Sequence, residues 1–98
     1  MNRTEILETI KRHESEIRAE GVLHLAIYGS RARGDERPDS DLDVIIDLIP
    51  EDKFSLLNLS GVALIIEDAT GIQTQIVLRR SIPQKFGERI RDDELEVF

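Results

Sequence analysis

The chain has 98 residues, enough for one domain over 1–98 and too few for two. It contains no cysteine, which excludes disulfides and thiolate metal sites, and no run near the ~18 apolar residues of a membrane span. Its net charge of −7, from 13 Lys+Arg against 20 Asp+Glu, opposes unaided binding to a nucleic-acid backbone. The same charge suits a nucleotide whose metal brings its own positive charge, or a basic protein partner.

Residues 1–20 are charged and lack a continuous apolar stretch, so they do not read as a signal peptide, and a cytoplasmic protein is expected. Asn2 or Thr4 can cap a first helix, and Asn2 with Glu5 has capping-box spacing. That helix has an intermittent apolar stripe, Ile6, Leu7, Ile10 and Ile17, and Gly21 is placed to end it. Val22 to Tyr28 is short, apolar and followed by glycine, and predicts a buried strand. Ser30 caps a short helix to about Gly34, and the polar stretch from Asp35 to Ser40, with Pro38, predicts a loop.

Leu42 to Leu48 is rich in Val, Ile and Leu and predicts a second central strand, ended by Pro50. Lys53 to Thr70, with Phe54, Leu57, Val62, Leu64, Ile65 and Ile66, predicts a helix despite Gly61, which costs up to ~1 kcal/mol inside one. Gln73 to Leu78 is a third strand. Pro83 opens a last helix to about Arg91, and Leu95, Val97 and Phe98 dock the tail. The alternation αβαβαβα predicts an α/β (α+β) fold, a small sheet of about three strands flanked by helices.

Two pieces of this chain carry chemistry. The first is Gly29-Ser30-Arg31-Ala32-Arg33-Gly34, a small-residue turn directly after an apolar strand. Glycine lets the backbone approach a ligand, a helix start attracts phosphate, and Arg31 and Arg33 add charge. The G-x4-G spacing invites a P-loop reading, which fails because Asp35 and Glu36 follow where Lys and Ser/Thr are required. The second is Asp41-Leu42-Asp43. Side chains two apart on a strand share a face, so both carboxylates project together and can bind hard cations such as Mg²⁺. Paired metals clamp the attacking and leaving oxygens of a phosphoryl displacement. A phosphate-holding turn facing two acids is the minimum equipment for handling a nucleoside triphosphate.

The combination Leu25-Ala26-Ile27-Tyr28-Gly29-Ser30-Arg31-Ala32-Arg33-Gly34 and Ser40-Asp41-Leu42-Asp43-Val44-Ile45 resembles the polymerase-beta-type nucleotidyltransferases. In particular it resembles the minimal nucleotidyltransferase (MNT) domains of HEPN/MNT toxin–antitoxin pairs. The resemblance implies a mixed sheet, two Mg²⁺ ions, an NTP donor and transfer of a nucleotidyl group. In this branch the acceptor is often the HEPN toxin, which is adenylylated and so silenced. By position, Gly29 and Ser30 would hold the β/γ-phosphates, Arg31 or Arg33 would steady the leaving pyrophosphate, and Asp41 and Asp43 would bind metal. The family usually carries a third acid on the third strand; here the stretch is Thr74-Gln75-Ile76-Val77, so Gln75 stands in that place. Glutamine can lend a carbonyl oxygen to a metal but carries no charge and cannot act as a base. Glu67 or Asp68 would substitute if the preceding helix ended near the site.

The expectation is an MNT-type antitoxin transferring AMP from Mg-ATP to a HEPN-type toxin. The alternative, raised by Gln75, is an antitoxin that neutralises by binding alone. A free-standing enzyme acting on a small molecule is disfavoured, because nothing in the sequence builds a pocket for one. His24 reads as a core or interface histidine and His13 as a surface one. Tyr28, Phe54, Phe86 and Phe98 read as core, and residues 88–96 as solvated faces.

Overall fold

The computed structural model describes residues 1–50 and 53–98. In chain order these form α1 (Arg3–Arg12), α2 (Glu14–Ala19), β1 (Val22–Tyr28), α3 (Ser30–Arg33), β2 (Leu42–Leu48), α4 (Leu56–Thr70), β3 (Thr74–Leu78), a 3-10 turn (Arg79–Ser81), α5 (Gln84–Asp93) and β4 (Leu95–Glu96). The sheet runs β3-β2-β1-β4. β1 is antiparallel to β2 and β4, while β2 and β3 are parallel. The parallel pair needs a long crossover, and α4 supplies it.

The capping box at Asn2 is present: Asn2 Oδ1 accepts from the Glu5 N–H at 2.8 Å, and the Glu5 carboxylate accepts from the Asn2 N–H at 2.9 Å. The expected single N-terminal helix is two helices that meet at His13, where φ −103° and ψ 15° leave the helical basin. The apolar spacing breaks there too, since nothing apolar lies between Ile10 and Ile17.

One sheet face carries the main core. Leu25 and Ile27 of β1 with Leu42, Val44 and Ile46 of β2 pack under Ile6 and Ile10 of α1, Ile17 of α2, and Val62 and Ile66 of α4. Each such side chain contributes roughly 1.5–3 kcal/mol through removal from water. α4 is apolar nearly all round, and its Val62/Ile66 side meets the sheet, while Leu57 and Leu64 are 85% and 58% exposed. Gly61 has a packing reason. A β-carbon there would lie 2.7 Å from Glu20 Oε2, and that carboxylate accepts from Asn58 Nδ2 through its other oxygen at 3.0 Å.

The opposite face is covered only in part. Ala26, Tyr28 and Ile45 pack with Ile90 of α5, flanked by Val77 and Ile82. The two ends of this face stay open, and at one of them stand the sequence-predicted acids.

The small sheet flanked by helices is as expected, with one strand beyond the approximate count of three. A fourth strand, β4, lines β1 through Ala26 and Ile27, and the tail continues the pairing, with Leu25 N–H donating to the Phe98 carbonyl at 3.0 Å. Phe98 is buried beneath Arg18, whose guanidinium carbon lies 4.5 Å from the ring centroid. His24 is exposed, which removes the core half of its expected role, core or interface. The β1–β2 register slips between Val22 and His24, so Leu23 and His24 both turn outward and the alternation resumes at Leu25. Among the described residues no helix is long and apolar enough to cross a membrane.

Candidate active site

The site forms where β1 ends beside the start of β2. Antiparallel pairing sets Tyr28 opposite Asp43, so the next residue, Gly29, comes against the Asp43 side chain. An ideal β-carbon on Gly29 would sit 2.5 Å from Asp43 Oδ2, far inside any allowed contact. Gly29 also has φ +76° and ψ −158°, a region essentially closed to other residues. Gly29→Ala should therefore destabilise the protein by about 1–3 kcal/mol and displace the Asp43 carboxylate. Denaturant unfolding checks the first effect and Mg²⁺ titration the second.

Ser30 begins α3, whose first N–H groups have no intrahelical partner. The turn is fixed from two sides. Arg3 donates from Nη1 to the Ala32 carbonyl at 2.8 Å. Arg31, only 6% exposed, donates from Nε to the Ser40 carbonyl at 2.9 Å and from Nη2 to that of Pro38 at 3.5 Å. The Arg31 guanidinium is thus occupied by the loop that leads into Asp41. Arg33 faces solvent and pairs with Asp35 at 3.0 Å and Asp93 at 2.7 Å.

Across the sheet, the parallel register sets Gln75 beside Asp43, and Gln75 Nε2 donates to Asp41 Oδ2 at 3.0 Å. Gln75 therefore holds Asp41 and stands in register beside Asp43, at the place where the resemblance expects a third carboxylate. Partial burial first, and the neighbouring Asp41 charge second, push the Asp43 carboxyl up; Arg33 opposes them. Burial and the Asp43 charge likewise raise the Tyr28 phenol. Two acids that repel each other in a half-dry corner are a place where a cation is favoured.

Neither proposed substitute for the third acid joins them. Glu67 accepts from the Thr74 N–H at 2.9 Å, and Asp68 lies on the other side of α4 beside His13 and Glu16. Among the described residues no group of three or more His, Cys, Asp or Glu could hold a metal. Two carboxylates nonetheless fit Mg²⁺, which commonly binds through one or two carboxylates and completes its shell with phosphate oxygens and water.

The sequence reading missed α5's part. Tyr28, Gly29, Arg33, Phe86, Arg89, Ile90 and Asp93 line a hollow of about 170 Å³ against the Gly29–Gly34 turn. Phe86, expected in the core, is 39% exposed and meets Tyr28 edge to face at 6.4 Å between ring centroids. The signal was the 86, 89/90, 93 spacing, which places these side chains on one helical face.

The nucleotidyltransferase domain family model matches residues 5–97. The protein adenylyltransferase MntA of Thermococcus cleftensis is 30% identical over 79 residues, 80% of this chain and 78% of its own length. A solved structure provisionally described as a minimal nucleotidyltransferase superposes with TM-score 0.72 and 26% identity, covering 97% of this chain and 95% of that one. The fold also matches, at TM-score 0.65 and 12% identity, a Shewanella oneidensis structure of a tri-AMPylated HEPN toxin in complex with MNT antitoxin. That match covers 94% of this chain and 71% of the other.

Proposed function

The chain belongs to the nucleotidyltransferase domain family, in its minimal form, and from that premise we propose that it transfers AMP from Mg-ATP to a side chain of a partner protein, a HEPN-type toxin, and so acts as an antitoxin. The observation that carries this reading is the meeting of Gly29 with Asp43, which joins the phosphate turn to the acid pair at one rim of the sheet. The names of the relatives support the acceptor class: one is a protein adenylyltransferase, and one structural neighbour is an MNT antitoxin bound to its AMPylated toxin.

In the reaction an acceptor hydroxyl oxygen bonds to the α-phosphorus, the bond from that phosphorus to the β-bridging oxygen breaks, pyrophosphate leaves with that bond's electron pair, and the hydroxyl proton passes to solvent water. Asp41 and Asp43 would hold Mg²⁺, which would supply charge neutralisation to the phosphates. Gly29 brings the backbone within reach of the phosphates, and the N–H groups and hydroxyl of Ser30 bind them. Arg33 takes charge on the departing pyrophosphate once it leaves its carboxylates. Arg31 holds the loop into Asp41 in register with α3 and is a positioning residue. Catalysis is chiefly positioning and charge neutralisation.

The test is to mix the protein with α-labelled ATP, Mg²⁺ and a HEPN protein encoded beside it. Label on the HEPN protein, absent with Asp41→Asn/Asp43→Asn, is expected. Label that survives the double substitution removes the assigned roles.

Gln75 favours a second reading, an antitoxin that binds without transfer. In that case the double Asn variant still neutralises the toxin and no label moves with either protein.

A further inference from the structure

The hollow between the Gly29–Gly34 turn and α5 joins Gly29 and Arg33 to a second arginine, Arg89, that has no part in the transfer described above. Its polar lining is two guanidinium groups, Arg33 and Arg89, with one carboxylate, Asp93; Phe86, Ile90 and Tyr28 form its apolar wall. Arg33 is already held by Asp35 and Asp93. Arg89 is exposed and makes no ion pair among the described residues, although Asp93 lies one helical turn further on. An arginine left without a carboxylate, in a hollow with a second arginine, marks a site for an anion.

The position says which anion. Gly29 touches both places: Asp43 lies against its β-position, and its backbone lines the hollow. A phosphate chain whose α-phosphate meets the acids and whose next phosphate crosses Gly29 and Ser30 delivers its end to Arg33 and Arg89. We propose that this hollow seats the terminal phosphate of a nucleoside triphosphate, with Arg89 as a binding residue and Asp93 as the carboxylate the phosphate displaces from Arg33. This assignment rests on the nucleotidyltransferase reading. It goes beyond it in giving α5 the discrimination between tri- and diphosphate.

The test is calorimetric titration of the wild type, Arg89→Ala and Asp93→Asn with ATP, ADP and inorganic tripolyphosphate, all in Mg²⁺. The wild type is expected to prefer ATP to ADP. Arg89→Ala should weaken ATP and tripolyphosphate about tenfold while leaving ADP within about twofold, and Asp93→Asn should tighten ATP. Equal losses for ATP and ADP would place the nucleoside or an inner phosphate in the hollow and overturn the assignment, as would an Arg89→Ala protein that binds ATP like wild type. Tripolyphosphate binding that depends on Arg89, with no ATP binding, keeps the anion seat and removes the nucleotidyl-transfer reading. Failure of wild type to bind any of the three removes both.

Discussion

An Asp43→Asn protein is expected to lose Mg²⁺-dependent transfer by a factor of about 10³ or more, while its metal-free fold becomes more stable at neutral pH. The two effects have one origin. Burial and the Asp41 charge raise the Asp43 carboxyl above its ordinary value, so the folded chain binds this proton more tightly than the unfolded chain does. Stability from this group is therefore greatest at low pH. It declines as pH rises from the unfolded value through the folded one, and above that the ionised carboxylate is a net cost. Asparagine keeps the shape and removes the charge, so its advantage should appear only on the neutral side of that window. Mg²⁺ reverses the order by neutralising the pair in the wild type alone. Thermal unfolding from about pH 4 to pH 8, with and without Mg²⁺, reads both effects. A wild type that Mg²⁺ does not stabilise, or an Asn variant less stable without metal at neutral pH, contradicts the account.

The sequence made the candidate site legible because each half is marked twice. Gly29 and Ser30 follow an apolar strand, and Asp41 and Asp43 open another, so local composition and position on the strands agree. Antiparallel pairing of neighbouring strands then brings the end of one beside the start of the next. Composition could not reveal a register slip. Leu23 and His24 sit in a continuous apolar run, and only the bulge turns both outward. A two-residue strand such as β4 has no period to detect. The charge of Arg31 suggested a phosphate ligand, yet its guanidinium meets two loop carbonyls, because a buried polar group binds whatever acceptors the fold supplies. α5 looked like a solvated helix since charged residues surround Phe86 and Ile90. That one face meets the phosphate turn depends on how the helix packs across β1, which no local pattern encodes.

The other large effect concerns the neutral residue among the acids. Gln75→Asp should raise Mg²⁺ affinity about tenfold or more and transfer about a hundredfold, while lowering metal-free stability at neutral pH. The amide now donates to Asp41 and so offsets part of the repulsion between Asp41 and Asp43. An aspartate at this register position removes the donor and adds a third negative charge beside Asp43. Without metal these charges oppose one another, and with it they become ligands for the same cations. The carboxylate can also accept the proton of the attacking hydroxyl, which the amide cannot. Gln75→Asn separates charge from shape: it should lower metal-free stability by losing the 3.0 Å contact and bring no gain in transfer. Single-turnover labelling and unfolding with and without Mg²⁺ measure both. If Gln75→Asp gains metal affinity but no transfer, the acid pair is a metal site and the domain neutralises by binding. If it gains neither, the amide and the two acids do not share a site, and the convergence at Gly29 needs another explanation.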